Sequence, residues 1–297
     1  MLTMLSRPST SLRAKPKPQT RPRVNLLSTT HRQLLIIGLT VAVFACLAPS
    51  LLKLVRPLSA LSAEDIQCLS HRYTTELVSL DPLLVYIHGF VAPSEATSLI
   101  RAGEALLEPS PVTGYGSSAQ SQARTSLSAP LPADDTTVEC VLGRAEHFMG
   151  TLMAPGRDEM GVAQMVRYTP GQKFDLHYDW FQRPRLQDGD NGRQRVYNRV
   201  ATFFVILQEN CTDGETYFPY IKPISSQIGG DVTARVWREH EDGGMAFKPI
   251  AGNALFWVNL MPNGTGDKRV LHAGLPVTSG TKTALNIWPR AFFGPEA

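Results

Sequence analysis

The chain has 297 residues, of which 43% are hydrophobic and 19% charged, with a formal net charge of +3. That length holds one large domain or two small ones, and the composition excludes a disordered or nucleic-acid-coating protein. The basicity is local: seven Lys or Arg and no acid precede residue 34, so the remainder is slightly acidic and nothing points to nucleic acid.

Residues 1–33, rich in Pro, Ser, Thr and Arg, read as a disordered tail. "LLIIGLTVAVFACLAPSLL", residues 34–52, follows without a charge. A helix of that length spans roughly 28 Å, close to the hydrocarbon thickness of a bilayer. It lacks the polar face of a core helix, and a membrane helix tolerates Pro49 near its far end. Residues 34–55 are therefore expected to form a single transmembrane signal anchor. A cleaved signal peptide and a mitochondrial presequence are the other readings. The long leading arm and the weak site "LSALSA" at 58–63 weigh against the first, and the apolar run against the second. The basic N-terminal flank places the tail in the cytosol and the bulk of the chain in the lumen, with the endoplasmic reticulum membrane as the expected location. Residues 56–80 read as a stem and 81–297 as the folded domain.

Four cysteines are present, and Cys46 lies in the apolar run. Cys68, Cys140 and Cys211 match no zinc spacing; they allow one disulfide and one free thiol, with the pairing open. Two sequons, at Asn210 and Asn263, suit a lumenal chain but also arise by chance.

"DPLLVYIHGF" reads as a strand and "SEATSLIRAGEALLE" as a helix; residues 108–133, rich in Ser, Pro, Ala and Gly, read as a long loop. Asp134 and Asp135 can cap a second helix, whose apolar residues from Val138 to Leu152 keep helical spacing. Eight short runs rich in β-branched and aromatic residues follow: "AQMVRY", "KFDLHYDWF", "RVATFFVILQ", "ETYFP", "MAFKPI", "ALFWVNL", "RVLHAGL" and "TKTALNIWP". Helices followed by strands predict an α+β, mainly β domain: a double-sheet jelly roll with N-terminal supporting helices.

Within "GQKFDLHYDWF", His177 and Asp179 stand two apart and so share a face of an extended chain. An imidazole beside a carboxylate is two-thirds of a facial metal triad, and equally an ordinary surface pair. Among the other histidines, His31 lies in the tail, His71 in the stem and His240 in a charged loop. His88 and His147 read as half-buried residues of a strand and a helix. That leaves His272, at the start of a late strand, with Lys282 ten residues on among apolar neighbours. Such a lysine either enters the barrel, where it needs a partner, or faces solvent from an edge strand.

The ordered set "RYTPGQKFDLHYDWF", "RVATFFVILQ", "DGETYFP", "FKPIAGNALFW" and "LHAGLPVTSGTKTALNIWP", preceded by "ARTS" at 123–126, resembles the prolyl 4-hydroxylases among the Fe(II)- and 2-oxoglutarate-dependent dioxygenases. The resemblance runs over roughly residues 82–290. It implies Fe(II) on His177, Asp179 and His272, 2-oxoglutarate held by Lys282, Tyr168 and Thr216, O₂ as co-substrate, and ascorbate as a reductant. It also implies a proline-containing polypeptide substrate near Arg199 and Trp288, although Trp288 equally suits a core. Phe174 departs from the family's tyrosine, and the inserts "RPRLQDGDNGRQRVYN" and "SSQIGGDVTARVWREHEDGG" enlarge the barrel rim. The alternatives are a dioxygenase of a free amino acid or another residue, a non-catalytic metal-binding barrel that binds a partner chain, and a zinc hydrolase. The natural substrate and the oligomeric state are not legible.

Overall fold

The computed structural model of the chain describes residues 68, 71–111, 123–188, 194–222 and 236–294. These fall in one unit, residues 61–297. The expected tail and membrane anchor, and most of the expected stem, lie outside the described residues. Among the described residues, no helix is long and apolar enough to cross a membrane.

The chain opens with β1 (Thr74–Leu80), β2 (Leu83–His88), α1 (Pro93–Glu104), β3 (Glu108–Pro109), β4 (Leu127–Pro130) and α2 (Thr136–Met149). The Asp135 carboxylate accepts the backbone N–H groups of Thr137 and Val138, so the expected N-cap starts α2. Next come β5 (Glu159–Met160), β6 (Gln164–Tyr168), β7 (Phe174–His177), β8 (Arg185–Asp188), β9 (Gln194–Arg199), β10 (Ala201–Asp213) and β11 (Thr216–Phe218). The last strands are β12 (Trp237–Glu239), β13 (Met245–Phe247), β14 (Ala254–Val258), β15 (His272–Gly274), β16 (Val277–Ile287) and β17 (Pro289–Phe293).

Three sheets result: β1-β2-β14-β10-β16-β6-β4-β3, β12-β13-β11-β15-β7, and β5-β17-β9-β8. The period-2 alternation of the long strands sorts side chains into two cores. On β10, Phe203, Val205 and Leu207 face one cluster with Leu99 of α1 and Val138 and Val141 of α2. Phe204 and Ile206 face the other, with Phe218 and Phe247 of the second sheet and Trp257 of the first. Each such side chain, once buried, contributes on the order of 1.5–3 kcal/mol. The first cluster buttresses the large sheet; the second fills the sandwich and ends at the pocket described below. This is the mainly β, helix-buttressed sandwich that the strand pattern predicts.

Three local expectations change. Residues 74–80 are not stem but the edge strand β1, paired to β2 in the register Thr74↔His88. The long loop is partly strand: β4 pairs with β6 and β3 with β4, because Ser128 and Ala129 are buried beside Val166 and Met165. His147 is exposed on α2 rather than half-buried. The open cysteine pairing resolves as Cys68–Cys140, with Cys211 free.

Candidate active site

Strands β7 and β15 pair antiparallel with His177 directly opposite His272, which brings the two rings to 4.2 Å between centroids. Asp179, two residues past the end of β7 in sequence, completes the group. Its Oδ1 lies 3.8 Å from His177 Nε2 and its Oδ2 3.7 Å from His272 Nε2. His177 Nδ1 meets the Asp175 carbonyl at 2.7 Å and His272 Nδ1 the Val270 carbonyl at 3.0 Å. A backbone carbonyl can only accept, so each Nδ1 carries a proton and each Nε2 is the ring atom turned to the centre. Burial, then the neighbouring His272, pushes His177 down to about 3 and keeps it neutral. Burial alone would raise Asp179, but His272, His177 and Arg199 outweigh it and hold the carboxylate ionised. Two imidazoles and a carboxylate that converge in this way are the donor set of a facial Fe(II) site, so the residues fit the metal.

A pocket of about 180 Å³ opens beside this group. Tyr168, Thr216, Arg199 and Trp288 line it, as the sequence leads one to expect. Lys282 sits behind its wall, 1% exposed, opposite Tyr168 across the β16–β6 pair. Its ammonium lies 5.5 Å from the Tyr168 ring and 5.0 Å from that of Phe204, and donates to the Gly214 carbonyl at 2.7 Å. Burial lowers its pKa to about 8, while Cys211 and Glu215 act the other way. A buried ammonium with one neutral acceptor and, among the described residues, no carboxylate bound to it is prepared for an anion, so this end fits a dicarboxylate. Trp257 and Trp288 line the same pocket, and among the described residues each buried indole N–H has no partner at hydrogen-bond geometry, although Trp288 lies close enough to Asp179 to help lower its pKa.

Phe174 lies almost parallel on His177, 3.5 Å between centroids, with the Arg124 guanidinium 4.7 Å from its ring. The position that departs from the family's tyrosine therefore packs against His177 rather than offering a phenol. Arg199 stacks on Trp288 at 3.6 Å and donates to the Asp179 carbonyl at 3.3 Å.

The sequence reading missed the support of Asp179. Thr202 Oγ1 donates to Asp179 Oδ2 at 2.8 Å and accepts from Asn259 Nδ2 at 2.8 Å; both residues are fully buried. The signal was present in "RVATFFVIL", where one hydroxyl stands among apolar side chains. Arg124 and Asn286 also line the pocket without having been assigned a role. The second titratable group, His240 with Glu241 and Asp242, is largely exposed.

Residues 163–290 match the 2OG-Fe(II) oxygenase superfamily. The chain is 30% identical over 250 residues to Arabidopsis thaliana "Probable prolyl 4-hydroxylase 10", covering 82% of this chain and 80% of that protein. It belongs to the prolyl 4-hydroxylase family. A second relative, "Probable prolyl 4-hydroxylase 7" of the same plant, is 31% identical over 216 residues; the match covers 71% of this chain and 63% of that protein. The mouse "Prolyl 4-hydroxylase subunit alpha-3" is 30% identical over 217 residues, 72% of this chain but 34% of that subunit. A solved structure, the viral collagen prolyl hydroxylase of Paramecium Bursaria Chlorella virus-1 in a 2OG complex, aligns with a TM-score of 0.48 and 23% identity. That alignment covers 75% of this chain and 98% of the viral one. As a prolyl 4-hydroxylase family member, the chain carries an Fe(II)- and 2-oxoglutarate-dependent dioxygenase domain.

Proposed function

We propose that this protein hydroxylates proline residues of a polypeptide, consuming O₂ and 2-oxoglutarate and releasing succinate and CO₂. The observation that carries the reading is the convergence of His177 Nε2, Asp179 and His272 Nε2 at the mouth of a pocket backed by a buried ammonium. His177, Asp179 and His272 hold Fe(II). Lys282 holds the distal carboxylate of 2-oxoglutarate, and Tyr168 and Thr216, on facing sheets, orient it. When bound, the metal and co-substrate supply the oxidant that inserts oxygen into an unactivated C–H bond. The chain's own work is to hold those partners in register, keep water from the reacting centre, and present the proline. Trp288 and Arg199 form the wall for that proline. Ascorbate serves as the accessory reductant.

The same proposal includes the membrane anchor at 34–55, the cytosolic tail, and a lumenal domain in the endoplasmic reticulum. The uncharged run and its basic flank support it, as does the Cys68–Cys140 disulfide, since such bonds persist in oxidising compartments.

The test supplies the full chain with Fe(II), ascorbate and 2-oxoglutarate, and follows succinate release with and without proline-rich peptides, with His177→Ala as the blank. Peptide-stimulated succinate with a one-oxygen mass gain on proline is the expected result. Uncoupled succinate that no peptide stimulates rejects peptidyl proline as the substrate, and no turnover rejects the enzyme.

A further inference from the structure

The third sheet carries a second cavity, of about 220 Å³, next to the first. The two share Gln164, Arg199 and Trp288 in their walls, so they are direct neighbours. Three guanidiniums line the second cavity: Arg185 on β8, Arg199 on β9 and Arg290 on β17. Among the described residues, no acidic side chain lines it.

The arginines are held by aromatic faces. Arg185 lies 4.2 Å and Arg199 4.7 Å from the Phe181 ring, Arg199 also 3.6 Å from Trp288, and Arg290 4.8 Å from Tyr197. Stacking uses the flat face of a guanidinium and leaves its N–H edge free for a planar, two-oxygen acceptor. Of the three arginines, Glu159 pairs with Arg290, at 3.4 Å, and Gln187 bridges the two, donating to Glu159 at 2.6 Å and accepting from Arg290 at 2.7 Å. Among the described residues, Arg185 and Arg199 have no carboxylate within ion-pair distance. Among the described residues, the cluster therefore carries more positive than negative charge, with Arg185 outside any ion pair. Burial pushes Arg199 down to about 10, with Asp179 opposing the shift and repulsion from Arg185 and Arg290 adding to it. Arg195, nearby on β9, is turned away: it stacks on Phe292 and donates to the Arg157 carbonyl.

We propose that this cavity is a subsite for an acidic side chain of the polypeptide substrate, an Asp or Glu carried on the same chain as the target proline and gripped by Arg185 and Arg199. The inference rests on the hydroxylase reading and narrows its substrate to acidic, proline-containing segments. It also gives a role to β8 and β9, which lie in a stretch that departs from the family pattern.

The test uses the full chain and fluorescein-labelled proline peptides that differ at one residue, Ala, Glu or Lys, placed in turn at each position around the proline. Anisotropy gives binding, and succinate with the mass of the peptide gives turnover. At one position, the Glu peptide is expected to bind about tenfold tighter than the Ala peptide and the Lys peptide more weakly, with the difference shrinking in salt. Arg185→Glu reverses that order; because Arg185 is exposed, the variant should fold. Arg101→Glu, on an exposed part of α1, preserves the order. Equal binding of Glu and Ala peptides at every position overturns the subsite, as does an order that Arg185→Glu leaves unchanged. An Arg185-dependent order without hydroxylation rejects the reaction and keeps the subsite. Hydroxylation with no charge order does the reverse, and no binding of any peptide overturns both.

Discussion

Replacing Thr202 with valine keeps the shape of a fully buried side chain and removes only its hydroxyl. Two bonds of 2.8 Å disappear, one to the Asp179 carboxylate and one from the Asn259 amide. A hydrogen bond to a charged group contributes about 1.5–3 kcal/mol, and an orphaned buried donor costs about 1–3 kcal/mol. Asn259 is already short of a partner at its Oδ1, so it has nowhere to turn. The expected loss is about 3–5 kcal/mol, read as a fall in the urea midpoint with an unchanged slope. A carboxylate freed from its anchor also samples orientations that do not meet the two Nε2 atoms, which weakens metal binding by about 10–100-fold. Calorimetric titration with Fe(II) under nitrogen measures this directly. Thr202→Ser retains the hydroxyl and should keep nearly all of the affinity. If Thr202→Val loses stability but binds metal as tightly as the parent, the hydroxyl only fills the core. If neither property changes, the bond to Asp179 has no energetic weight and the argument fails.

Lys282 makes stability and co-substrate binding oppose each other. Its folded pKa of about 8 lies below its ordinary 10.5, so between those pH values the unfolded chain binds more protons and stability rises with pH, by about 3 kcal/mol in all. The affinity for 2-oxoglutarate follows the opposite course, constant below pH 8 and falling above it; calorimetry across pH 6.5–9.5 checks both directions (roughly one decade per unit at the upper end). Lys282→Met should be no less stable than the parent at pH 7 and lose 2-oxoglutarate affinity by about a hundredfold or more. Arg144 of α2 reaches across to Glu95 of α1 at 2.6 Å and to the Phe90 carbonyl at 2.7 Å. Arg144→Ala leaves that carboxylate with only the Ala92 backbone N–H for support and should cost about 2–4 kcal/mol with no change in the KM for 2-oxoglutarate, as thermal melts and succinate kinetics report.

The residues that meet at the candidate site were legible because the pattern that marks them is carried in order along the chain. His177 and Asp179 sit two apart, His272 opens a strand, and Lys282 is ten residues on within an apolar run. The strand alternation and the Asp135 cap were legible for the same reason: they depend on neighbours in sequence. Register and long-range pairing were not. Ser128 and Ala129 look like loop residues until Val166 and Met165 pair with them, and Thr74–Leu80 looks like stem until β2 supplies a partner. Only the fold sets Cys68 against Cys140, hangs Asp179 on Thr202 and Asn259, and draws Arg185, Arg199 and Arg290 from three strands to one cavity. Sequence determined which groups the site would contain, since local chemistry chooses residue types. Tertiary structure decided what supports them and what lies beside them, because contacts between residues a hundred apart are fixed by sheet register rather than by local propensity.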